Sequence, residues 1–347
     1  MGALLDGGKE ACGGEEELAL VHAAVELQRE KFDNSLQQIA KVNPNGRFRA
    51  TALWIAGESL YRKGDLGAAL PLLTVLVGET PSHLRGRKCL AALYFDLGAM
   101  DYAKRELKQV CEMEKSDYRP YLMLGQICAD YEEFAEAISH FMQALKICPT
   151  ETLRLEIEGS LALAMCGDRQ YQQLLDRSDF SDDEPTIQTC TAEAFWSTGQ
   201  TQKARRIIDD VLTRHPDLPR TLLLSARLDA GNGKPESAIS QLERVLRHDP
   251  HNVAARFQLA LVSRQIGNES AFEENLRLKE DSQILVDRLL KLSHDVVDKI
   301  APQSVYSEIS NVCELLGKKE LAERWRQVAR GIHSNSPAAA TESTMPL

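Results

Sequence analysis

Residues 119–149 decide the fold, and they read RPYLMLGQICADYEEFAEAISHFMQALKICP. Leu124, Ile127 and Cys128 place an apolar stripe on a first helix. After a short turn, apolar residues return at spacings of three and four, which predicts a second helix. This second stripe consists of Phe134, Ala137, Ile138, Phe141, Ala144 and Leu145. Because Pro149 cannot continue that helix, the stretch is predicted to form one helical hairpin.

The features of this hairpin recur along the chain with a period of 34 residues. Glycines keep the spacing in two runs, Gly64 and Gly98, then Gly199, Gly233 and Gly267. Alanines keep it in the same phase, at Ala69, Ala103 and Ala137 and again at Ala204 and Ala238. A fixed period of this length indicates a repeat architecture built from helical hairpins.

The repeated motif resembles the tetratricopeptide repeat (TPR) family, whose pattern is W-x2-L-G-x2-Y, then A-x3-F, then P. The quoted hairpin matches it with Tyr121-x2-Leu124-Gly125-x2-Cys128, with Ala137-x3-Phe141 and with Pro149. The resemblance implies an all-α fold, a right-handed α-α superhelix in which antiparallel hairpins stack into a TPR-like solenoid. It also implies that the first helix of each hairpin lines a concave groove.

The resemblance divides the chain into units, and the solenoid is expected to cover residues 15–333. The best repeats are 50–83, 84–117, 118–151, 185–218, 219–252 and 253–281, and the degenerate ones are 15–47, 152–184 and 282–333. Residues 1–14 and 334–347 are expected to be disordered. In unit 152–184 an acidic loop follows an early helix end, so residues 176–185 are a candidate joint, and Ser181 within them is a weak candidate for modification.

Composition excludes several classes of protein. The chain has 347 residues, of which 43% are hydrophobic, and this share excludes disorder throughout. It carries 41 Lys and Arg residues against 51 Asp and Glu residues, a formal net charge of −10. This acidic balance argues against general binding to a phosphate backbone, which requires a net basic surface.

The cysteine pattern and the absence of targeting signals bear on the compartment. No stretch approaches the roughly 18 apolar residues of a membrane span, and the first residues do not read as a secretory signal. The eight cysteines are scattered without a CxxC pair, which indicates neither a disulfide framework nor a zinc site. We therefore expect reduced core thiols and a cytoplasmic protein.

The implied register of the repeats assigns residues to the groove. The candidate partner-binding residues are Trp54, Glu58, Tyr61, Arg85, Lys88, Phe95, Arg119, Leu122, Gln126, Trp196, Arg220 and Arg227. Arginine together with aromatic residues is typical of interface anchors. The hypothesis is that this surface captures a protein or peptide segment that bears a carboxylate or acidic residues. The alternative is that the arginines pair with glutamates such as Glu58 and the aromatic rings only cover the solenoid surface.

Catalytic and cofactor motifs are missing from the sequence. No GxGxxG, P-loop, HExxH, GxSxG or calcium-loop pattern occurs, so we predict no catalytic residue, no cofactor and no metal. The expected function is a non-catalytic protein-protein interaction scaffold or adaptor. Two alternatives stay open: a ligand-binding or catalytic helical-repeat protein with a site assembled across repeats, and an RNA-binding helical repeat. The sequence names neither the partner nor an oligomeric state.

Overall fold

A computed structural model of the chain describes residues 14–177, 179–181, 183–298 and 303–334. These residues form eighteen α-helices, and the described part of the chain contains no strand, so the predicted all-α fold is confirmed. The helices are α1 (Glu15–Gln28), α2 (Phe32–Ile39), α3 (Arg49–Lys63), α4 (Leu66–Glu79), α5 (Leu84–Asp96), α6 (Met100–Met113), α7 (Tyr118–Asp130), α8 (Phe134–Ile147), α9 (Glu151–Gly167), α10 (Tyr171–Leu175), α11 (Pro185–Ser197), α12 (Thr201–Arg214), α13 (Pro219–Gly231), α14 (Pro235–His248), α15 (Val253–Gln265), α16 (Glu269–Asp298), α17 (Gln303–Leu315) and α18 (Lys319–Ser334).

The periodic glycines end the first helix of each hairpin. At Gly64 the backbone is left-handed, with φ 91°, and the N–H of Asp65 donates to the carbonyl of Leu60 at 2.9 Å. This arrangement closes α3 and starts α4 one residue later. The same turn recurs with positive φ at Gly98, Gly199, Gly233, Gly267 and Gly317. Glycine is favoured there because an L side chain is strained in this conformation.

The periodic alanines and the helical glycines let the two helices of a hairpin approach closely. All five alanines of the predicted ladder are fully buried. On the facing helix, a Cβ added at Gly125 would lie 2.5 Å from the ring of Phe141, and one added at Gly57 would lie 2.7 Å from Leu73. A small residue on one helix therefore makes room for a large one on the other, as close packing requires.

One compact unit consists of residues 1–113 and 289–347. Its hairpins are α1–α2, α3–α4, α5–α6 and α17–α18, and α18 packs directly against α4. The side chain of Trp325 on α18 is completely buried, and Arg324 forms an ion pair with Asp96 at 3.4 Å. The C-terminal hairpin is thus part of the same core as the N-terminal hairpins.

The other compact unit consists of residues 114–288. Its hairpins are α7–α8, α9–α10, α11–α12 and α13–α14, followed by α15 and the part of α16 up to Arg288. The degenerate unit 152–184 ends in the five-residue helix α10, as its sequence suggested. In the acidic loop that follows, the N–H of Ser181 donates to the buried carboxylate of Glu158 at 3.4 Å.

Some expectations concern residues that the structure does not describe. The disorder expected for 1–14 and 334–347 falls outside the described residues, apart from Gly14 and Ser334. The division into nine repeat units stays a prediction. Among the described residues, no helix combines the length and the apolar character needed to cross a membrane.

Candidate functional site

The N-terminal unit contains a pocket between α3 and α5 that gathers five of the predicted groove residues. Its volume is about 380 Å³. The predicted residues that line it are Trp54, Glu58, Tyr61, Arg85 and Lys88, joined by Gln28, Arg62 and Cys89. We call this site the Trp54 pocket. Three of its side chains are cationic and one is a carboxylate, so its lining is basic although the whole chain is acidic.

Arg85 is held above the Trp54 ring at the edge of this pocket. Its guanidinium carbon lies 5.0 Å from the ring centroid, within the range of a cation-π contact. Among the described residues, Arg85 has no carboxylate within ion-pair distance. The guanidinium therefore keeps its hydrogen-bond donors directed to solvent or to a bound group.

His83 supports this arrangement from the start of α5. Its ring lies 6.0 Å from that of Trp54, and its Nδ1 accepts the N–H of Gly86 at 3.0 Å. Partial burial lowers the pKa of His83 below its ordinary value, and the charge of Arg85 acts in the same direction. The neutral ring thus caps the helix that carries Arg85 and Lys88.

The floor of the Trp54 pocket is chemically inert near neutral pH. Burial, together with the nearby charge of Glu58, raises the pKa of the Cys89 thiol to about 12. Burial and Asp96 raise the pKa of Tyr61, whose hydroxyl donates to Asp96 at 2.9 Å. Both groups stay protonated at neutral pH, and a protonated thiol is a poor nucleophile.

The other predicted residue of the N-terminal unit, Phe95, does not line the Trp54 pocket. It lies half-buried at the end of α5. Its register position was right for the inner helix, but it lies two turns of helix beyond Lys88. The hydrophobic part of the predicted cluster is therefore smaller than the sequence indicated.

Arg119, Leu122 and Gln126 all lie on α7 in the second unit. Arg119 binds the buried Asp117 through Nε at 2.9 Å and Nη2 at 2.8 Å. These hydrogen bonds raise the pKa of Arg119 above its ordinary value. Leu122 and Gln126 are half-buried one turn apart on the same helix. For Arg119, the alternative that an acidic neighbour satisfies the arginine holds.

Trp196, Arg220 and Arg227 meet around a carboxylate that was not among the predicted site residues. Arg220 pairs with Glu193 at 2.8 Å and Arg227 with the same group at 3.6 Å. The guanidinium of Arg227 also stacks on Trp196, 4.7 Å from the ring centroid. The charge of these two arginines is thus partly neutralised within the molecule.

Sequence reasoning missed the acidic partners and one further cluster. Glu193 and Arg227 are 34 residues apart, so they occupy equivalent positions in successive repeats, and this spacing was a usable signal. The further cluster is formed by Cys128, Glu136 and His140, whose side-chain ligand atoms lie within 4.8 Å of one another. Its spacing, C-x7-E-x3-H, crosses a hairpin turn and matches no familiar metal motif.

Comparison with known proteins agrees with the repeat architecture. The family profile described as Tetratricopeptide repeat protein 21 ARM repeat matches residues 115–265, and that described as Tetratricopeptide repeat matches residues 20–83. The human protein General transcription factor 3C polypeptide 3 is 23% identical over 184 residues, which are 50% of this chain and 21% of the relative. The chain thus spans about a fifth of the length of that relative.

Solved structures of MamA are also similar. MamA from AMB-1 is 18% identical, with 46% of this chain and 83% of that chain covered and a TM-score of 0.41. MamA from Desulfovibrio magneticus RS-1 is 18% identical, with 56% and 98% covered and a TM-score of 0.41. At these values the similarity does not extend to function. The matched repeat profiles and the recurring hairpins with left-handed glycine turns lead to one conclusion: the chain belongs to the tetratricopeptide repeat family.

Proposed function

We propose that this protein is a non-catalytic interaction scaffold that binds an acidic or carboxylate-bearing segment of a protein partner at the Trp54 pocket. Stacked helical repeats offer extended surfaces that bind other proteins. Within that surface the Trp54 pocket combines arginine, lysine and tryptophan, the residue types that provide interface anchors.

One observation carries the proposal, namely the different pairing of the predicted arginines. Arg119, Arg220 and Arg227 each have a carboxylate partner within the chain. Arg85 instead stacks on Trp54 and has no such partner among the described residues. A carboxylate from another protein would complete its coordination with two parallel hydrogen bonds, the geometry that a guanidinium prefers.

The chemistry of the pocket supports binding over catalysis. Its one thiol, Cys89, has a pKa raised to about 12, so the nucleophilic thiolate is nearly absent at neutral pH. The free cysteines of the described chain suit a reducing compartment, and we place the protein in the cytoplasm. Carboxylates such as Glu58 and Glu193 interrupt the cationic positions, which argues against a continuous basic track for RNA.

The experiment is quantitative affinity capture from an extract of the source cells, read by mass spectrometry. Full-length protein is compared with Arg85→Glu, with Trp54→Ala and with the control Arg277→Glu. Arg277 is an exposed residue of α16 that pairs with Asp281 at 3.0 Å. Both reversals change the net charge by the same amount, so nonspecific electrostatic binding is matched between them.

We expect a defined set of proteins to be captured by the wild type and by Arg277→Glu and to be lost with both pocket variants. Circular dichroism confirms that each variant stays helical. Capture that is equal for all four proteins would refute the Trp54 pocket as the binding site. A captured small molecule or RNA in place of a protein would refute the scaffold function.

A further inference from the structure

The hairpin of α7 and α8 carries three metal-ligating side chains that the Trp54 pocket does not use. Cys128 lies near the end of α7, and Glu136 and His140 lie one turn apart on α8. A separation of four residues places the last two on the same helix face. Their ligand atoms and the Cys128 Sγ lie within 4.8 Å of one another. The two helices thus present three donors of different types to one point.

We propose that Cys128, Glu136 and His140 bind a divalent transition-metal ion of the zinc class. Tetrahedral zinc has bonds of about 2.3 Å to sulfur and about 2.0–2.2 Å to nitrogen and oxygen, so its ligand atoms lie about 3.4–3.6 Å apart. The Sγ of Cys128 lies 3.8 Å from Oε2 of Glu136. Side-chain adjustments of a few tenths of an ångström up to about 1 Å bring this set to the coordination distance.

The donor set selects the class of metal. Thiolate and imidazole are poor ligands for Mg²⁺ and Ca²⁺, which prefer oxygen atoms only. One thiolate, one imidazole and one carboxylate suit a borderline ion such as Zn²⁺. Three protein ligands leave the fourth tetrahedral position to water or to a group from a bound partner.

The surroundings are suited to holding such an ion. Cys128 is completely buried in a core with Ala137 and Phe141, while Glu136 is exposed and offers a route from solvent. On binding, the Cys128 thiol releases its proton to solvent and a sulfur-metal bond forms. Because the ligands come from both helices, the ion ties the hairpin together across its turn.

A thiol-to-carboxylate hydrogen bond from Cys128 to Glu136 is the competing explanation of the same geometry. The two differ in what happens when metal is added. A hydrogen-bonded pair gives no thiolate-metal absorption, whereas a site gives a saturable signal that depends on all three residues.

The experiment uses Co²⁺ as a spectroscopic substitute for zinc, added to the reduced, metal-free full-length protein. We expect a sulfur-to-cobalt charge-transfer band that saturates at about one equivalent and is displaced by Zn²⁺. Cys128→Ala removes the band, and His140→Gln weakens Co²⁺ binding at least about tenfold. The control variants Glu132→Gln and Cys111→Ala keep the band.

Thermal unfolding provides the second readout. Zn²⁺ is expected to raise the Tm of the wild type and of Glu132→Gln but not that of His140→Gln, because a ligand that binds only the folded state stabilises it. If Cys128→Ala does not fold, the partly exposed His140→Gln decides the question alone. The proposal is overturned if no saturable band forms, or if the band persists without Cys128 or at full affinity without His140.

Discussion

The close approach of α7 and α8 depends on Gly125, and replacing this glycine tests how the hairpin packs. A Cβ at this position would lie 2.5 Å from Cε1, 2.6 Å from Cδ1 and 2.9 Å from Cζ of Phe141. Ordinary carbon-carbon contacts lie at about 3.5–4.0 Å, so the ring must move by about 1 Å. Because Phe141 is only 1% exposed, its movement displaces other core residues.

Gly125→Ala is therefore expected to destabilise the protein. Overpacking costs about 1–3 kcal/mol, and three ring atoms in conflict place this site near the upper end. The higher helix propensity of alanine offsets about 1 kcal/mol of that cost. The free energy of unfolding should fall by about 1–2 kcal/mol.

Gly231→Ala is the matched control in the same unit. Gly231 is the last residue of α13, and a Cβ added there meets no atom within 4 Å. Only the propensity term remains, so this variant should gain up to about 1 kcal/mol. Urea unfolding followed by circular dichroism should shift the two midpoints in opposite directions at constant slope.

The partner of the clash can be tested directly with Phe141→Leu. This substitution removes the ring atoms that the new methyl group would strike, so Gly125→Ala should cost less in that background. A double-mutant cycle should give a favourable coupling of about 0.5 kcal/mol or more. A Gly125→Ala midpoint at or above that of the wild type, or strictly additive effects in the cycle, would refute the packing argument.

Three further predictions concern stability. Glu132 occupies a hairpin turn with φ 58°, so Glu132→Gly should raise the free energy of unfolding by about 0.5–1 kcal/mol, whereas Gly98→Ala at φ 73° should lower it; equal effects in thermal melts would contradict this. Because burial lowers the pKa of His83, the stability from its neutral ring is complete above the ordinary pKa near 6.5 and is lost as pH falls through the lowered value. Urea midpoints measured against pH should show this loss in the wild type and lack its His83 component in His83→Asn, which keeps the cap without titrating. The buried Asp229 accepts hydrogen bonds from Arg205 at 2.6 Å and from two neutral side chains, so Asp229→Ala should cost about 3 kcal/mol in urea unfolding and Asp229→Asn less; equal losses would show that the charge contributes nothing.

The repeat architecture could be predicted from the sequence because each hairpin needs small residues at fixed places. The period was only partly visible, however. Glu30 and Glu132 lie 34 residues before Gly64 and after Gly98, and both adopt the left-handed turn with φ 60° and 58°. Since the turn tolerates glutamate at a modest cost, a search for glycine alone missed these two positions.

The candidate site could be predicted only in part. The register brought Trp54, Arg85 and Lys88 together correctly at the Trp54 pocket. It could not say that Arg227 would be held by Glu193, because a long side chain chooses its partner by its conformation. Periodicity reports which repeat position a residue occupies, while pairing depends on charges in the neighbouring repeat.

The packing of the C-terminal hairpin against α4 had no local signal. A repeat pattern describes contacts between successive hairpins. The contact of α18 with α4 joins residues about 250 positions apart, and the ion pair of Arg324 with Asp96 is similarly distant. The apolar stripe around Trp325 predicted a buried helix face but not the surface that covers it.

The central claim is that Arg85, held on Trp54, recognises a negative charge on a protein partner. The most direct measurement is the Kd of the captured partner segment for the wild type, for Arg85→Glu and for Arg277→Glu, each repeated with the segment's carboxylate changed to lysine. We predict that Arg85→Glu weakens binding at least about tenfold. The lysine-bearing segment should restore binding to Arg85→Glu only, while Arg277→Glu binds like the wild type. Equal affinities for the wild type and Arg85→Glu, with no recovery on charge exchange, would contradict the claim.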